Sequence, residues 1–308
     1  MKRIFIASSG NPERLAAMFR ARLQDFEVIA DQAGLGAQDV PYAVVGRPGP
    51  GVISAIPGLK LVLSLNAGVE HLLASGEIPA DVPIVRLVDE GLALGMADWV
   101  LAEALAWHRN LRVYQGFQAN QEWKPQAEVL ARDRTVTVLG AGELGAPVAA
   151  HFVRLGFKTR VWSRSGRQID GARSFAGTDL MAAVEGADIL VNLLPLTPDT
   201  RDLLSERIFS ALARGAFFIN GARGAQVVDA DLIAALDSGH LSGAALDVFR
   251  TEPLPADDPY WTHPKVLVSP HVAAPTHAEI AVEEIAANIL RHMNGEPLMH
   301  VVDRVRGY

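Results

Sequence analysis

TVTVLGAGELG, residues 135–145, decides how this chain is read. Thr135–Leu139 is a short apolar run rich in β-branched residues, as a buried strand requires. Gly140, Gly142 and Gly145 follow in G-x-G-x-x-G spacing, and the amphipathic run after them predicts a helix over 143–155. In such a strand–turn–helix unit the first glycine permits the tight turn. The second lets a diphosphate approach the backbone, and the third lets helix pack on strand. The amides of Ala141, Gly142, Glu143 and Leu144 would then meet the diphosphate at the helix N-terminus, where the dipole favours negative charge.

The next strand, KTRVWSR (158–164), indicates which dinucleotide to expect. It ends in Trp162, Ser163 and Arg164, where an NAD unit would carry a ribose-binding acid. Ser163 lies 18 positions after Gly145, in the right range for that acid. A carboxylate there would repel a 2′-phosphate. Arginine attracts one, and its planar fork suits phosphate oxygens. Arg164 and Arg167 are within reach, and Ser163 can donate a further bond. The expectation is NADP(H), with NAD(H) possible if the arginines are only a solvated loop.

Outward from this unit, strands alternate with helices in two series. The first comprises 3–9, a helix near 12–23, then 27–30, 42–46, 60–66 and 83–88. The second comprises 135–140, 158–164, 188–194, 216–222, 243–249 and 265–270, with helices near 178–185, 205–212 and 229–237. Residues 96–121 are read as one long helix linking two domains, and 279–295 as a final helix ending at Gly295. The fold class is α/β, with two Rossmann-like, doubly wound parallel-sheet domains. The cofactor domain, 98–278, is inserted into a substrate domain formed by 1–97 plus 279–308.

Composition narrows the function classes. The 308 residues are 49% hydrophobic and 20% charged, which is globular. A net charge of −7 argues against nucleic acid or anionic membrane as partner. With no cysteine there is no disulfide, thiolate metal site or thiol nucleophile, and no metal is expected. The apolar run near the N-terminus is too short for a signal or membrane segment, and a cytoplasmic enzyme fits.

Three later segments place reactive side chains after strands: Arg223 in INGARGAQVVD (219–229), Glu252 in LDVFRTEPLP (246–255) and His271 in VSPHVAAPT (268–276). Ligands bind outside the carboxyl ends of such strands. Reduction of a 2-keto acid needs a hydride on carbon and a proton on oxygen. His271 can give the proton, Glu252 can orient the ring, and Arg223 can hold the carboxylate and polarise the keto oxygen. Ala222, next to Arg223, is expected along the cofactor. In the first series, Ala67, Gly68 and Val69 of SLNAGVEHL (64–72) form either an anion-binding turn or a plain one. Arg47 in VGRPGPG (45–51) either faces substrate or is solvated.

LGAGELG, LLPLTPDT (193–200), INGARG, LDVFRTEPLP and SPHVAA together resemble the D-isomer-specific 2-hydroxyacid dehydrogenases. LVDEGLALGMADWVL (87–101), EWKP (122–125), VWSR and NGEPLMHVVDRVRGY (294–308) look like their glyoxylate/hydroxypyruvate reductase A branch. The resemblance implies a flavodoxin-like substrate domain and a Rossmann domain around a cleft, a homodimer, and NADPH. It implies the catalytic roles of Arg223, Glu252 and His271. It puts Asp247 near the nicotinamide carboxamide, Leu194, Pro195 and Thr200 along the cofactor, and the Ala67–Val69 amides on the substrate carboxylate. The branch often has an aromatic residue where this chain has Gly46-Arg47-Pro48, so Gly46 is expected to leave room and Arg47 to suit a second acidic group. Other readings are a reductase for a bulkier 2-keto acid, or a nucleotide-sensing binding protein on the same fold.

Overall fold

A computed structural model describes residues 2–8 and 11–308 and divides the chain into two compact units. One is Met1–Leu92 with Thr276–Tyr308, and the other is Ala93–Pro275. The boundaries fall at 92/93 and 275/276, against the expected 97/98 and 278/279. Ser9, expected to close the first strand, lies outside the described residues.

The first unit is built on a parallel sheet of five strands: β1 (Lys2–Ala7), β2 (Phe26–Ile29), β3 (Tyr42–Val45), β4 (Leu61–Ser64) and β5 (Ile84–Val85). Their order is β2-β1-β3-β4-β5. Every residue of β3 and β4 is buried, as continuous apolar runs covered on both faces should be. Between β1 and β3 the winding reverses, opening a crevice at the strands' carboxyl ends. The helix Pro12–Arg22 starts on Asn11, whose side chain accepts from Arg14 N at 3.0 Å. The C-terminal helix, Ala278–Met293, packs against it, and Arg22 reaches Glu283 at 2.8 Å. Beyond it Val302 N donates to Ile84 O, and Arg304 donates to the carbonyls of Pro79 and Val82. The chain's last residues thus complete the unit its first residues began.

The second unit holds seven parallel strands: β6 (Thr135–Leu139), β7 (Lys158–Ser163), β8 (Arg173–Ala176), β9 (Ile189–Asn192), β10 (Ala216–Asn220), β11 (Leu241–Leu246) and β12 (Val266–Val268). The order is β12-β11-β10-β9-β6-β7-β8, with the winding reversed between β6 and β9. Side chains alternate between the two faces. Val136, Val138, Ile189, Val191, Phe217 and Ile219 pack with Val148 and Phe152 of the helix Gly145–Arg154. Leu139, Leu190, Phe218 and Leu246 pack with Phe209, Leu232 and Leu236 on the other side. Each fully buried side chain of this size contributes roughly 1.5–3 kcal/mol.

Two readings of the sequence need correction here. The stretch 96–121 is not one helix: a helix runs Glu90–His108, and a separate one Leu111–Ala119. Asn110 between them has φ 56°, a left-handed conformation that asparagine tolerates better than most residues and that stops a helix. The strand β8 has no counterpart in the sequence reading. It lies at the sheet edge and buries only Phe175, so it lacks the apolar run that marks a central strand. No helix among the described residues is long and apolar enough to cross a membrane.

Candidate active site

The glycine turn leaves β6 with three different steric demands. Gly140 has φ 109°, and a Cβ on it would lie 2.7 Å from Leu193 O. A Cβ on Gly145 would lie 1.9 Å from Gly140 O, so strand end and helix start touch through backbone alone. A Cβ on Gly142 would meet no protein atom within 4 Å. Space kept open there, next to a ten-residue helix with no side-chain cap, fits the approach of an anionic diphosphate. The helix begins at Gly145 rather than 143, so Ala141–Leu144 form the turn leading into it.

At the end of β7, Ser163 Oγ accepts from Arg167 N at 3.1 Å and so shapes the bend. Arg167 turns back to the glycine turn, where Nη1 donates to Ala141 O at 3.1 Å and lies 3.9 Å from the Glu143 carboxylate. Trp162 donates its indole N–H to Gly177 O at 3.1 Å and packs on the core. Arg164 is exposed on the bend, and the strand end carries no carboxylate of its own.

The three reactive side chains follow β10, β11 and β12, which are neighbours in the sheet. His271 Nδ1 lies 2.7 Å from Glu252 Oε2, and Glu252 Oε1 accepts from Phe249 N at 3.0 Å. The carboxylate is held at both oxygens, so Nδ1–H is the donor toward it and Nε2 is the ring nitrogen left facing away from Glu252. Arg223 donates from Nη1 to Ala222 O at 2.7 Å. Its neighbour Gly224 lies against the chain near Glu252: a Cβ there would be 2.0 Å from the Phe249 carbonyl carbon. Behind it, Arg250 bonds Asp202, Asp229 and Val227 O, and Tyr260 donates to Asp229 at 2.9 Å. Burial, reinforced by the neighbouring Asp229 carboxylate, pushes the Tyr260 hydroxyl far above its ordinary range.

His271 has φ 56°, which costs of order 1–3 kcal/mol for a residue with a side chain. Asp247, only 1% exposed, secures that bend. Its backbone oxygen accepts His271 N at 2.8 Å. Its carboxylate accepts Ser269 Oγ at 2.6 Å, Val272 N at 2.9 Å and Ala273 N at 2.9 Å. The resemblance points Asp247 at the cofactor. The contacts within this chain hold the loop that carries His271. Thr200 likewise is buried, and its hydroxyl bonds Pro195 O at 2.7 Å and Thr197 N at 2.8 Å, shaping the loop after β9. Leu194 and Ala222 are buried as well, leaving backbone as their principal offering to a ligand.

Sequence reasoning missed Asn192, Asn220, Gln226 and Ser269. The first three are buried to 1% or less and bond one another and the loops above. The signal was present: ILVN and FFIN each end an apolar strand in asparagine, and a polar group entering a core needs partners.

In the first unit, β3 and β4 are adjacent, and Asn66 Nδ2 and the His71 ring both approach Gly46 O at 3.2 Å. Val69 is buried, and Arg47 is exposed. The expectation that Gly46 leaves room is wrong. A Cβ on it would be 2.8 Å from Ser8 Oγ and 3.6 Å from Leu65, so the glycine is there because the space is filled. The loop beyond is fastened by Glu77, which accepts from Gly51, Ile53 and Ser54 amides. Those bonds, Gly51's foremost, hold its carboxyl below the usual range. Among the described residues no group of three or more His, Asp or Glu side chains is placed to hold a metal.

Residues 101–273 match the family described as D-isomer specific 2-hydroxyacid dehydrogenase, NAD binding domain. The chain is 42% identical over 314 residues to a glyoxylate/hydroxypyruvate reductase A of Serratia proteamaculans, with all of both chains covered. A solved NADPH-dependent glyoxylate/hydroxypyruvate reductase of Sinorhizobium meliloti, in complex with NADP and sulfate, matches with a TM-score of 0.94. It is 38% identical, again over 100% of both chains. A D-isomer specific 2-hydroxyacid dehydrogenase of Xanthobacter autotrophicus, in complex with NADPH and MES, matches with a TM-score of 0.93 and 39% identity. That match covers 100% of this chain and 99% of the other.

Two demands of the glycine turn, close packing at Gly145 and open space at Gly142, can be separated by mutation. Gly145→Ala should lower stability by about 1–3 kcal/mol, the range for overpacking, measured by urea denaturation. Gly142→Ala should leave the denaturation midpoint in place and weaken NADPH binding about tenfold, or ~1.4 kcal/mol. Unchanged NADPH affinity in Gly142→Ala would mean that the open space serves no ligand.

Proposed function

Because this chain belongs to the D-isomer specific 2-hydroxyacid dehydrogenase family, we propose that it reduces a small 2-keto acid of the glyoxylate or hydroxypyruvate type, using NADPH. That the chain is an NAD(P)-dependent 2-hydroxyacid dehydrogenase or reductase follows from the match itself. The observation that carries the finer reading is the His271–Glu252 pair at 2.7 Å, with the second Glu252 oxygen fixed by Phe249 N.

A nicotinamide held by the glycine turn and the end of β7 would supply the hydride for the keto carbon. The rest of the chemistry belongs to the chain. His271 gives the Nε2 proton to the keto oxygen, so carbonyl plus hydride plus proton becomes a hydroxyl. Glu252 keeps the ring oriented through its contact with Nδ1. Arg223 is a permanent cation that draws electron density toward the keto oxygen and favours a carboxylate-bearing substrate. Within the first unit, the Ala67–Val69 backbone is assigned to anion binding, and Arg47 to a second acidic group on a larger substrate.

NADPH is favoured over NADH by the exposed Arg164 on the bend after β7 and by the absence of an acid on that strand end. The relatives solved with NADP or NADPH support the same choice. Ser163 and Arg167 contribute by holding the bend and the glycine turn together. A homodimer belongs to this reading too. Trp123 is 98% exposed, and Leu111, Val113 and Leu130 are also exposed, an apolar set that calls for cover.

Four outcomes are expected. NADPH absorbance should fall steadily with glyoxylate, and His271→Ala should depress turnover about 100-fold or more while leaving NADPH affinity nearly intact. Tight NADPH binding without turnover of any small 2-keto acid would favour the nucleotide-sensing reading instead. Arg164→Asp should weaken NADPH at least about tenfold more than NADH, an added ~1.4 kcal/mol of discrimination. Equal losses would remove Arg164 from the 2′-phosphate. Light scattering should return twice the chain mass, and a monomer would remove the dimer.

A further inference from the structure

Gln226 is 1% exposed and lies three residues past Arg223. Its amide makes four hydrogen bonds. Oε1 accepts from Asn192 Nδ2 at 2.8 Å and from Arg223 N at 3.2 Å. Nε2 donates to Leu194 O at 3.1 Å and to Pro195 O at 3.0 Å. The arrangement fixes the amide's orientation, because exchanging oxygen and nitrogen would set two donors against N–H and two carbonyls against oxygen. Asn192 and Asn220 extend the network. Asn192 Nδ2 also donates to Asn220 Oδ1 at 3.0 Å, and Leu194 N donates to Asn192 Oδ1 at 3.3 Å. Asn220 Oδ1 accepts Ala222 N at 3.2 Å, and its Nδ2 donates to Arg223 O at 3.3 Å.

Two loops therefore converge on one side chain. Leu194–Pro195 follow β9 and are read as lying along the cofactor; Ala222–Arg223 follow β10 and carry the cationic clamp. An apolar side chain at this position would take these bonds away from the Arg223 N–H and from the Leu194 and Pro195 carbonyls. The amide adds direction: it fixes the distance between two backbone segments, and a satisfied buried network does so rigidly.

We propose that Gln226 is a positioning residue that ties the Leu194–Pro195 backbone to the Arg223 backbone, so that cofactor affinity and 2-keto acid affinity are set by one side chain. This rests on the reductase reading above. Wild-type turnover of glyoxylate tests that reading separately, so an inactive wild type sinks the reading, and an active one leaves Gln226 to be judged on its variants.

The test uses Gln226→Met, of similar length without polar groups, and Gln226→Asn, which keeps the amide but is one methylene too short to span both loops. NADPH dissociation constants and the KM for glyoxylate are measured on the folded full chain, with melting temperature as the fold control. Both constants should rise about 3–10-fold in either variant, as expected for losing one or two such bonds. A side chain that only packs the core would lower the melting temperature and leave both constants at wild-type values in the folded protein. That result overturns the proposal, as does a shift in one constant alone. If Gln226→Met fails to fold, Gln226→Asn carries the same readings. Failure of both to fold marks Gln226 as a packing element and overturns it too.

Discussion

At the carboxyl ends of the second unit's strands the backbone must approach itself more closely than any Cβ allows. Position 145 would put a methyl group 1.9 Å from Gly140 O, position 140 would put one 2.7 Å from Leu193 O, and position 224 would put one 2.0 Å from the Phe249 carbonyl carbon. Those contacts set the heights of the loops after β6, β9, β10 and β11 relative to one another. The glycine turn after β6, Arg223 after β10, Glu252 after β11 and His271 after β12 all stand at the carboxyl ends of this one sheet's strands. Gly142 obeys the opposite rule, since nothing in the chain competes for its space.

Polar groups then lock what the glycines bring together. Asn192, Asn220, Gln226 and Asp247 are all buried, and each bonds main-chain atoms of a functional loop. Burial raises the cost of leaving such groups unpaired, so each fixes a loop with little tolerance. His271 illustrates the result. Its left-handed backbone is unfavourable in isolation, and the Asp247 carboxylate, with its three donors, stabilises the turn that imposes it.

Much of this was legible in the chain. Two alternating strand–helix series and a glycine turn mark a doubly wound α/β architecture, and the motifs after the strands mark the 2-hydroxyacid dehydrogenase family. Where reading failed, the reason was local. Asn110 breaks a run that periodicity alone continues, and β8 buries one side chain and so carries almost no apolar pattern. Gly46 was taken for an opening because a sequence does not record that Ser8 fills the space beside it.

By itself, then, the sequence determined most element types, the doubly wound α/β class and the residue types that stand after the strands, because hydrophobic period, glycine spacing and residue type are properties of short stretches. Tertiary structure alone decided which polar side chains hold the site. Asp247, Thr200 and Gln226 bond backbone atoms of their loops, and Asp247 and Gln226 do so across 25 and 32 positions of chain. Hydrogen bonds act over about 3 Å of space and carry no signature along the chain.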